Sequence, residues 1–327
     1  MLSIIMPVKN TEAFLQDCLD SIVNQTLSNW ELMAIDDHST DRSHEILMSY
    51  AQHDKRIQVL KNNGKGVTAA LQTGYQQSKG NYITRMDSDD INELHKYEHM
   101  LNQLKEWGSG YLALGQVKYF CATGIGEGFQ NYERWMNTLI SEGNCFDEVY
   151  KECVIPSPCW MLHREDFDRS GAFDTVMYPE DYDLCFRMYQ QQLIPIACKE
   201  VLFHWRDYPH RTTRQVAHYQ GEALLTLKCH HFLKIDFDPS KKLVLWGAGK
   251  RGKFIAQYLV SHNIPFDWIC NNSNKIGHQI YGVYLQSEKM VNEINNKQIV
   301  VSVANTDEQI SINELCLANH WNTFYFC

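Results

Sequence analysis

The chain has 327 residues, 44% of them hydrophobic and 21% charged, with a net charge of −9. Such a length is a prior for two domains, and the acidic balance argues against nucleic acid or an anionic membrane as the main partner. Eleven cysteines without a C-x-x-C pair signal neither a zinc ribbon nor a redox dithiol, and read as reduced thiols in a cytoplasm.

Residues 2–8 are a buried-strand candidate that stops at Pro7-Val8-Lys9-Asn10. The run is too short for a membrane span, which needs roughly 18 apolar residues. It also lacks the basic flank and cleavage site of a signal peptide. Phe14, Leu15, Cys18, Leu19, Ile22 and Val23 then repeat at helical spacing. The strand at 31–35 ends in Asp36-Asp37-His38-Ser39-Thr40-Asp41, a polar cluster able to cap the next helix, which carries Ile46, Leu47 and Tyr50. A short strand at 57–60 turns through Asn62-Asn63-Gly64-Lys65-Gly66 into a helix with Val67, Ala70, Leu71 and Tyr75. These alternations predict a mostly parallel sheet covered by helices on both faces, with ligands bound beyond the carboxyl ends of its strands.

The strand at 81–86 runs into Asp87-Ser88-Asp89-Asp90. Two carboxylates converging at a strand end make a hard oxygen site for Mg²⁺ or Mn²⁺. The alternative is an acidic turn, with Asp90 capping a helix that begins near Ile91. Farther on, Tyr132, Trp135 and Met136 read as core, and residues 155–160 as an extended segment constrained by Pro156 and Pro158. Pro179-Glu180-Asp181 is good helix-start chemistry by itself. Phe203-His204-Trp205-Arg206 closes a strand from 199. Arg206, Arg211 and Arg214 read as a solvated basic helix start, with contact to phosphate as the alternative.

A helical stretch over 215–233 leads to a linker and then to Leu243-Val244-Leu245-Trp246. Gly247-Ala248-Gly249-Lys250-Arg251-Gly252 follows, with a helix bearing Phe254, Ile255, Tyr258 and Leu259. This G-x-G-x-x-G stands in the strand–turn–helix setting that lets backbone approach a phosphate, which marks Gly247, Gly249 and Gly252 as nucleotide-binding candidates. The acid expected on a dinucleotide's ribose is replaced by Cys270-Asn271-Asn272. Strands at 266–270, 299–303 and 323–326, with a helix near 307–318, complete a small Rossmann-like α/β domain. The expected domains are therefore 1–234 and 235–327.

Ser3-Ile4-Ile5-Met6-Pro7-Val8-Lys9-Asn10, the helix at 18–26, Ile35-Asp36-Asp37-His38-Ser39-Thr40-Asp41 and Met86-Asp87-Ser88-Asp89-Asp90 together resemble family 2 glycosyltransferases. The resemblance implies a GT-A fold, a nucleotide-diphosphate sugar donor, Mn²⁺ or Mg²⁺, and inversion at the anomeric carbon. It implies that Pro7 and Asp37 line the nucleobase pocket, with Val8, Asn10, Arg85 and Ser88 on the donor side. Asp87 and Asp89 would handle the ribose–diphosphate and metal, Asp89 more directly, with His204 as a further ligand or else a packed histidine. Lys65 lies near the diphosphate or is a solvated loop lysine. His38 departs from the glycine common at its position, and is expected to narrow the donor pocket. Glu180-Asp181-Tyr182-Asp183-Leu184, with Arg187, resembles the family's second signature, which implies Asp181 as catalytic base and Glu180 as its neighbour.

The processive Q-x-x-R-W pattern is absent, so one transfer per encounter is expected. The resemblance places the enzyme in cell-surface polysaccharide or glycolipid synthesis, with a glycan or lipid-linked hydroxyl as acceptor. It would be cytoplasmic, with peripheral contact to the inner face of the membrane left open. The alternatives are an NAD(P)-dependent oxidoreductase acting through the glycine loop, or a sugar-nucleotide-binding regulator.

Overall fold

The computed structural model describes residues 1–122, 124–209, 211 and 221–327. They pack as two units, Met1–Asp147 with Cys153–Gln215, and Glu148–Glu152 with Val216–Cys327. Arg214 and the first part of the expected helix over 215–233 lie outside the described residues.

In the first unit, β1 (Leu2–Val8), β2 (Trp30–Asp36), β3 (Ile57–Lys61) and β4 (Tyr82–Arg85) are parallel neighbours in the order β3-β2-β1-β4. Helices α1 (Leu15–Val23), α2 (Ser43–His53) and α3 (Val67–Gln77) connect them. β2 is buried at every position and β1 at all but one. Covered on both faces, they read as continuous apolar runs rather than alternating ones. The expected alternation of strand and helix is therefore found, and all four strands deliver their carboxyl ends to one rim.

Beyond β4 the sheet becomes mixed. β5 (Ile91–Asn92), α4 (Lys96–Trp107), β6 (Tyr111–Phe120), α5 (Glu127–Glu142), β7 (Trp160–His163), α6 (Arg164–Arg169), α7 (Glu180–Gln190) and β8 (Ile194–Arg206) follow. They extend the order as β4-β7-β6-β8-β5, with β7 antiparallel to both neighbours. The helix expected to start near Ile91 is not formed. Ile91 and Asn92 instead pair antiparallel with His204 and Phe203 of β8, so long-range pairing overrides the local capping signal, and the helix begins at Lys96. On α5, Met136 is fully buried while Tyr132 and Trp135 are half-buried, in line with a core role. Lys96 is fully buried and donates to Asn92 Oδ1 (2.7 Å) and the Pro158 carbonyl (2.6 Å), tethering the proline-constrained segment. Burial lowers its ammonium to about 8.

The second unit contains α8 (Glu222–Ile235), β9 (Lys242–Trp246), α9 (Lys250–Ser261), β10 (Asp267–Cys270), β11 (Gln279–Ile280), β12 (Val283–Ser287), β13 (Lys297–Val301), α10 (Thr306–Ala318) and β14 (Asn322–Tyr325). Its sheet runs β11-β12-β10-β9-β13-β14, parallel except for the β11–β12 hairpin, which periodicity did not reveal. Val244, Trp246, Ile269, Ile299 and Val301 form the core under α10. The expected boundary at 234/235 falls inside this unit. Phe232 on α8 packs on Phe324 (5.1 Å between centroids) and Phe326 (5.8 Å), with Tyr150 stacked on Phe326. Burying a phenylalanine of this kind stabilises by about 1.5–3 kcal/mol, which fixes α8 to the second unit. Among the described residues no helix is long and apolar enough to cross a membrane.

Candidate active site

The rim at the carboxyl ends of β1 to β4 is built around Asp37. Its backbone N–H donates to the Val8 carbonyl (2.8 Å), which joins the ends of β1 and β2. Its carboxylate accepts from Asn62 Nδ2 (2.6 Å), Lys9 Nζ (3.0 Å) and the Gly66 N–H (3.1 Å). Burial pushes the carboxyl up, but these donors outweigh it and leave the group below its ordinary value. Asp37 thus clamps the loop at 62–66, on which Lys65 is exposed. Asn10 binds the adjoining turn, its Oδ1 accepting the Thr40 N–H (2.8 Å). Pro7 and Val8 form the end of β1 beside it. His38 sits at φ +58°, in the left-handed region that favours glycine, and its Nε2 lies 2.9 Å from the Gly64 carbonyl. Where a glycine would leave the loop bare, an imidazole bridges two strand-end loops.

The acidic stretch leaves β4 as a turn, with the Asp90 N–H 3.4 Å from the Asp87 carbonyl. That turn, rather than strand alternation, sets where the carboxylates stand. Arg85 is buried and donates from Nε to Asp87 (2.9 Å) and from Nη1 to Glu180 (3.2 Å), so one guanidinium ties the acidic turn to the start of α7. The Ser88 hydroxyl is buried and accepts from Thr11 (3.2 Å). Asp89 accepts from the Tyr208 hydroxyl (2.8 Å). Burial and the neighbouring Asp87 carboxylate raise Asp89 above the ordinary carboxylate range, against the pull of Arg211 and Tyr208. Asp90 is fully buried, its Oδ1 accepting the Arg206 N–H (2.7 Å) while Oδ2 has no partner. Burial and Asp89 raise it much further. It is a buried acid tying the turn to β8, not a helix cap.

Two of the three arginines read as solvated belong to this site. Arg206 lies between the rings of Phe14 and Phe120 (4.7 Å to each centroid) and donates to the Asp89 carbonyl (2.8 Å). Arg211 is buried against Trp205 and feels the carboxylates of Asp90, Asp89 and Asp87. Nothing local distinguishes such arginines from surface ones, since both partners arrive from a strand far away in sequence. The His204 ring pairs through Nε2 with Glu93, a contact that fits the packed, hydrogen-bonded alternative. Among the described residues no three His, Cys, Asp or Glu side chains converge to hold a metal ion. Two carboxylates alone still fit Mg²⁺ or Mn²⁺, since such ions commonly take one or two carboxylates and complete their shell with phosphate oxygens and water. The raised Asp89 and the unpartnered oxygen of Asp90 mark an excess of negative charge there that a cation would relieve.

The motif at 180–187 divides into two parts. Asp183 and Arg187 form a buried i,i+4 pair (2.8 Å), and Arg187 also donates to the Ala172 carbonyl (2.9 Å), fixing α7 to the loop before it. Glu180 and Asp181 stand at the open end of the helix. Asp181 keeps part of its surface accessible, and burial together with the Glu180 carboxylate pushes it up to about 7, against the opposing charge of Arg85. It lines a small cavity with Glu180, Arg85, Ser157 and Thr175. The Ser157 hydroxyl is buried there with no hydrogen-bond partner among the described residues. Sequence reasoning missed Ser157, Tyr208, Arg206 and Arg211. Gly247, Gly249 and Gly252 lie in the second unit, at the end of β9 and the start of α9.

The family model described as "Glycosyl transferase family 2" matches residues 3–171. The "Minor teichoic acid biosynthesis protein GgaB" of Bacillus subtilis is 36% identical over 274 residues, which is 81% of this chain and 29% of that protein. The chain spans 17% to 41% of the length of four other glycosyltransferase relatives. Among solved structures, S. aureus TarS 1–349 in complex with UDP-GlcNAc is similar at a TM-score of 0.55 and 16% identity, over 80% of this chain and 72% of that one. The mannosyltransferase PcManGT from Pyrobaculum calidifontis, in complex with GDP-Man and Mn²⁺, is similar at 0.53 and 16%, over 71% and 63%.

Proposed function

The chain belongs to glycosyl transferase family 2, its first unit having the GT-A fold, and from that premise we propose that it moves a sugar from a nucleotide-diphosphate donor to a hydroxyl acceptor with inversion. The observation that carries this reading is the bridge through Arg85, which hydrogen-bonds Asp87 of the acidic turn and Glu180 beside Asp181. The donor would lie along the rim, its base over the loops clamped by Asp37 and its diphosphate toward Asp87 and Asp89. The nucleotide sugars in TarS and PcManGT support that donor class. A bound Mn²⁺ or Mg²⁺ would supply charge neutralisation for the departing diphosphate.

Asp181 acts on the acceptor side. An alcohol is a poor nucleophile, so its proton passes to Asp181 as the oxygen bonds to the anomeric carbon and the bond from that carbon to the diphosphate oxygen breaks. A carboxyl raised to about 7 is a better base than an ordinary one and is still about half ionised at neutrality. Glu180, held by Arg85, fixes the helix start and raises Asp181. The GgaB relative, named for minor teichoic acid biosynthesis, supports a place in cell-surface polysaccharide synthesis. The direct test is release of nucleoside diphosphate from nucleotide sugars, with and without a chelator.

Ser157 is assigned to the acceptor. Leaving a buried hydroxyl unpaired costs about 1–3 kcal/mol, a cost an acceptor hydroxyl in the same cavity would remove. Ser157→Ala is expected to lower kcat/KM for the acceptor about tenfold. Donor affinity and thermal stability should be retained, because no hydrogen bond within the protein is lost. Unchanged acceptor kinetics would take Ser157 out of the site.

A further inference from the structure

The transferase reading leaves the second unit without a role. From β9 its chain moves out to β10 and β12 on one side, then returns to β13 and β14 on the other. A parallel sheet that reverses in this way opens a crevice beyond its strand ends at the switch point. A cleft of about 770 Å³ lies there, with Gly249, Lys250, Arg251 and Lys275 in its lining and the carboxylates Glu288, Asp307 and Glu308 lining it as well. Its size is that of a small-molecule site.

The three glycines differ in what they are for. A Cβ on Gly252 would lie 2.1 Å from the Gly247 carbonyl oxygen, and one on Gly247, at φ +122°, would lie 2.6 Å from Ser302 Oγ. Gly252 is demanded by the packing of α9 on its own strand end, and Gly247 by the close approach of Ser302 after β13 and by its positive φ. Gly249 is not. A Cβ there would meet nothing within 4 Å, and its φ of −77° suits any residue. Its bareness leaves cleft space open and matters to an occupant rather than to the fold. The loop is also held rigid, the Trp268 Nε1–H donating to the Gly247 carbonyl and Lys275 Nζ to the Ala248 carbonyl, both at 2.8 Å. Lys250 and Arg251 bring positive charge to the same wall. Beyond β10 stand exposed Asn271 and Asn272, without the carboxylate that reads a dinucleotide's ribose.

We propose that this cleft is a second, metal-independent site that binds a nucleoside diphosphate, with the diphosphate over Gly249 at the start of α9 and against Lys250 and Arg251. Positive side chains and backbone amides supply the charge that a divalent ion supplies at a carboxylate site. The amides of Asn271 and Asn272 offer both donors and acceptors to the nucleoside.

Equilibrium dialysis of the full chain in EDTA, with ADP, UDP and GDP as probes, tests the proposal. At least one probe should bind at a single site that survives Asp89→Ala and weakens at least about tenfold in Gly249→Leu. Far-UV circular dichroism should show Gly249→Leu folded, and Arg251→Glu should weaken binding in the same direction without filling the cleft. No binding of any of the three probes in EDTA overturns the proposal. So does binding that neither variant changes, or that is lost in Asp89→Ala. Tighter binding of NADH, or equal binding of inorganic phosphate, overturns the assigned ligand class. The outcome is independent of whether the first unit transfers sugar.

Discussion

Replacing Asp181 by Asn is expected to cut sugar transfer by about 10²–10⁴-fold, the usual contribution of a positioned general base. The amide fills the same space but cannot take the acceptor proton. It also removes a buried carboxyl that burial and the repulsion from Glu180 push up to about 7, so the fold should be at least as stable. Donor binding should be unaffected, because the donor lies on the Asp37 and Asp89 side. The same group sets the pH dependence. Asp181 works as a base only when ionised, so the rate should rise with pH and level off above an inflection near 7. That limb should vanish in Asp181→Asn. Near-normal turnover in the variant, or a wild-type profile flat from pH 5 to pH 8, roughly the span around such a group, would remove Asp181 from the role.

Replacing Asp89 by Ala is expected to have an equally large effect with a different signature. Asp89 is a partly accessible carboxylate of the acidic turn, held by Tyr208 and raised by burial and by Asp87. Without it, the proposed ion would keep only Asp87 as a carboxylate ligand, and transfer should fall by about 10²–10³-fold. Stabilisation of the protein by nucleotide sugar with Mn²⁺, measured as a shift in thermal midpoint, should be lost as well. The Asp181 variant should keep that stabilisation. The two carboxylates are thereby separated, one acting through the donor and the other through the acceptor. An Asp89→Ala protein that binds donor and Mn²⁺ as tightly as wild type would contradict the assignment.

The parts of this site that were legible in the sequence are those whose signal is local. β1 and β2 are buried on both faces and so appear as unbroken apolar runs, and each ends in polar residues because the strand ends face the rim. The glycine loop was legible because its glycines follow one another within one strand–turn–helix, although Gly247 is required by Ser302 beyond β13. Asp181 drew its role from a resemblance rather than from its neighbours, since a helix start with two acids is common by itself. What was not legible depends on contacts between distant segments. Asp90 looks like a cap until Ile91 and Asn92 are seen pairing with β8. Arg206 and Arg211 look solvated until the end of β8 and the segment after it bring them to the acidic turn. The Glu93 partner of His204 likewise comes from a segment far away in sequence. The bridge from Asp87 through Arg85 to Glu180 joins residues that no sequence window contains.

The central claim is that donor cleavage depends on the acidic turn and its ion. Its most direct measurement is release of nucleoside diphosphate by the purified chain from a panel of nucleotide sugars in Mn²⁺, repeated with EDTA. Cleavage of at least one nucleotide sugar that EDTA abolishes and restored Mn²⁺ returns is the predicted result. Cleavage that EDTA leaves untouched, or a protein stabilised by NAD(H) and by no nucleotide sugar, would contradict it.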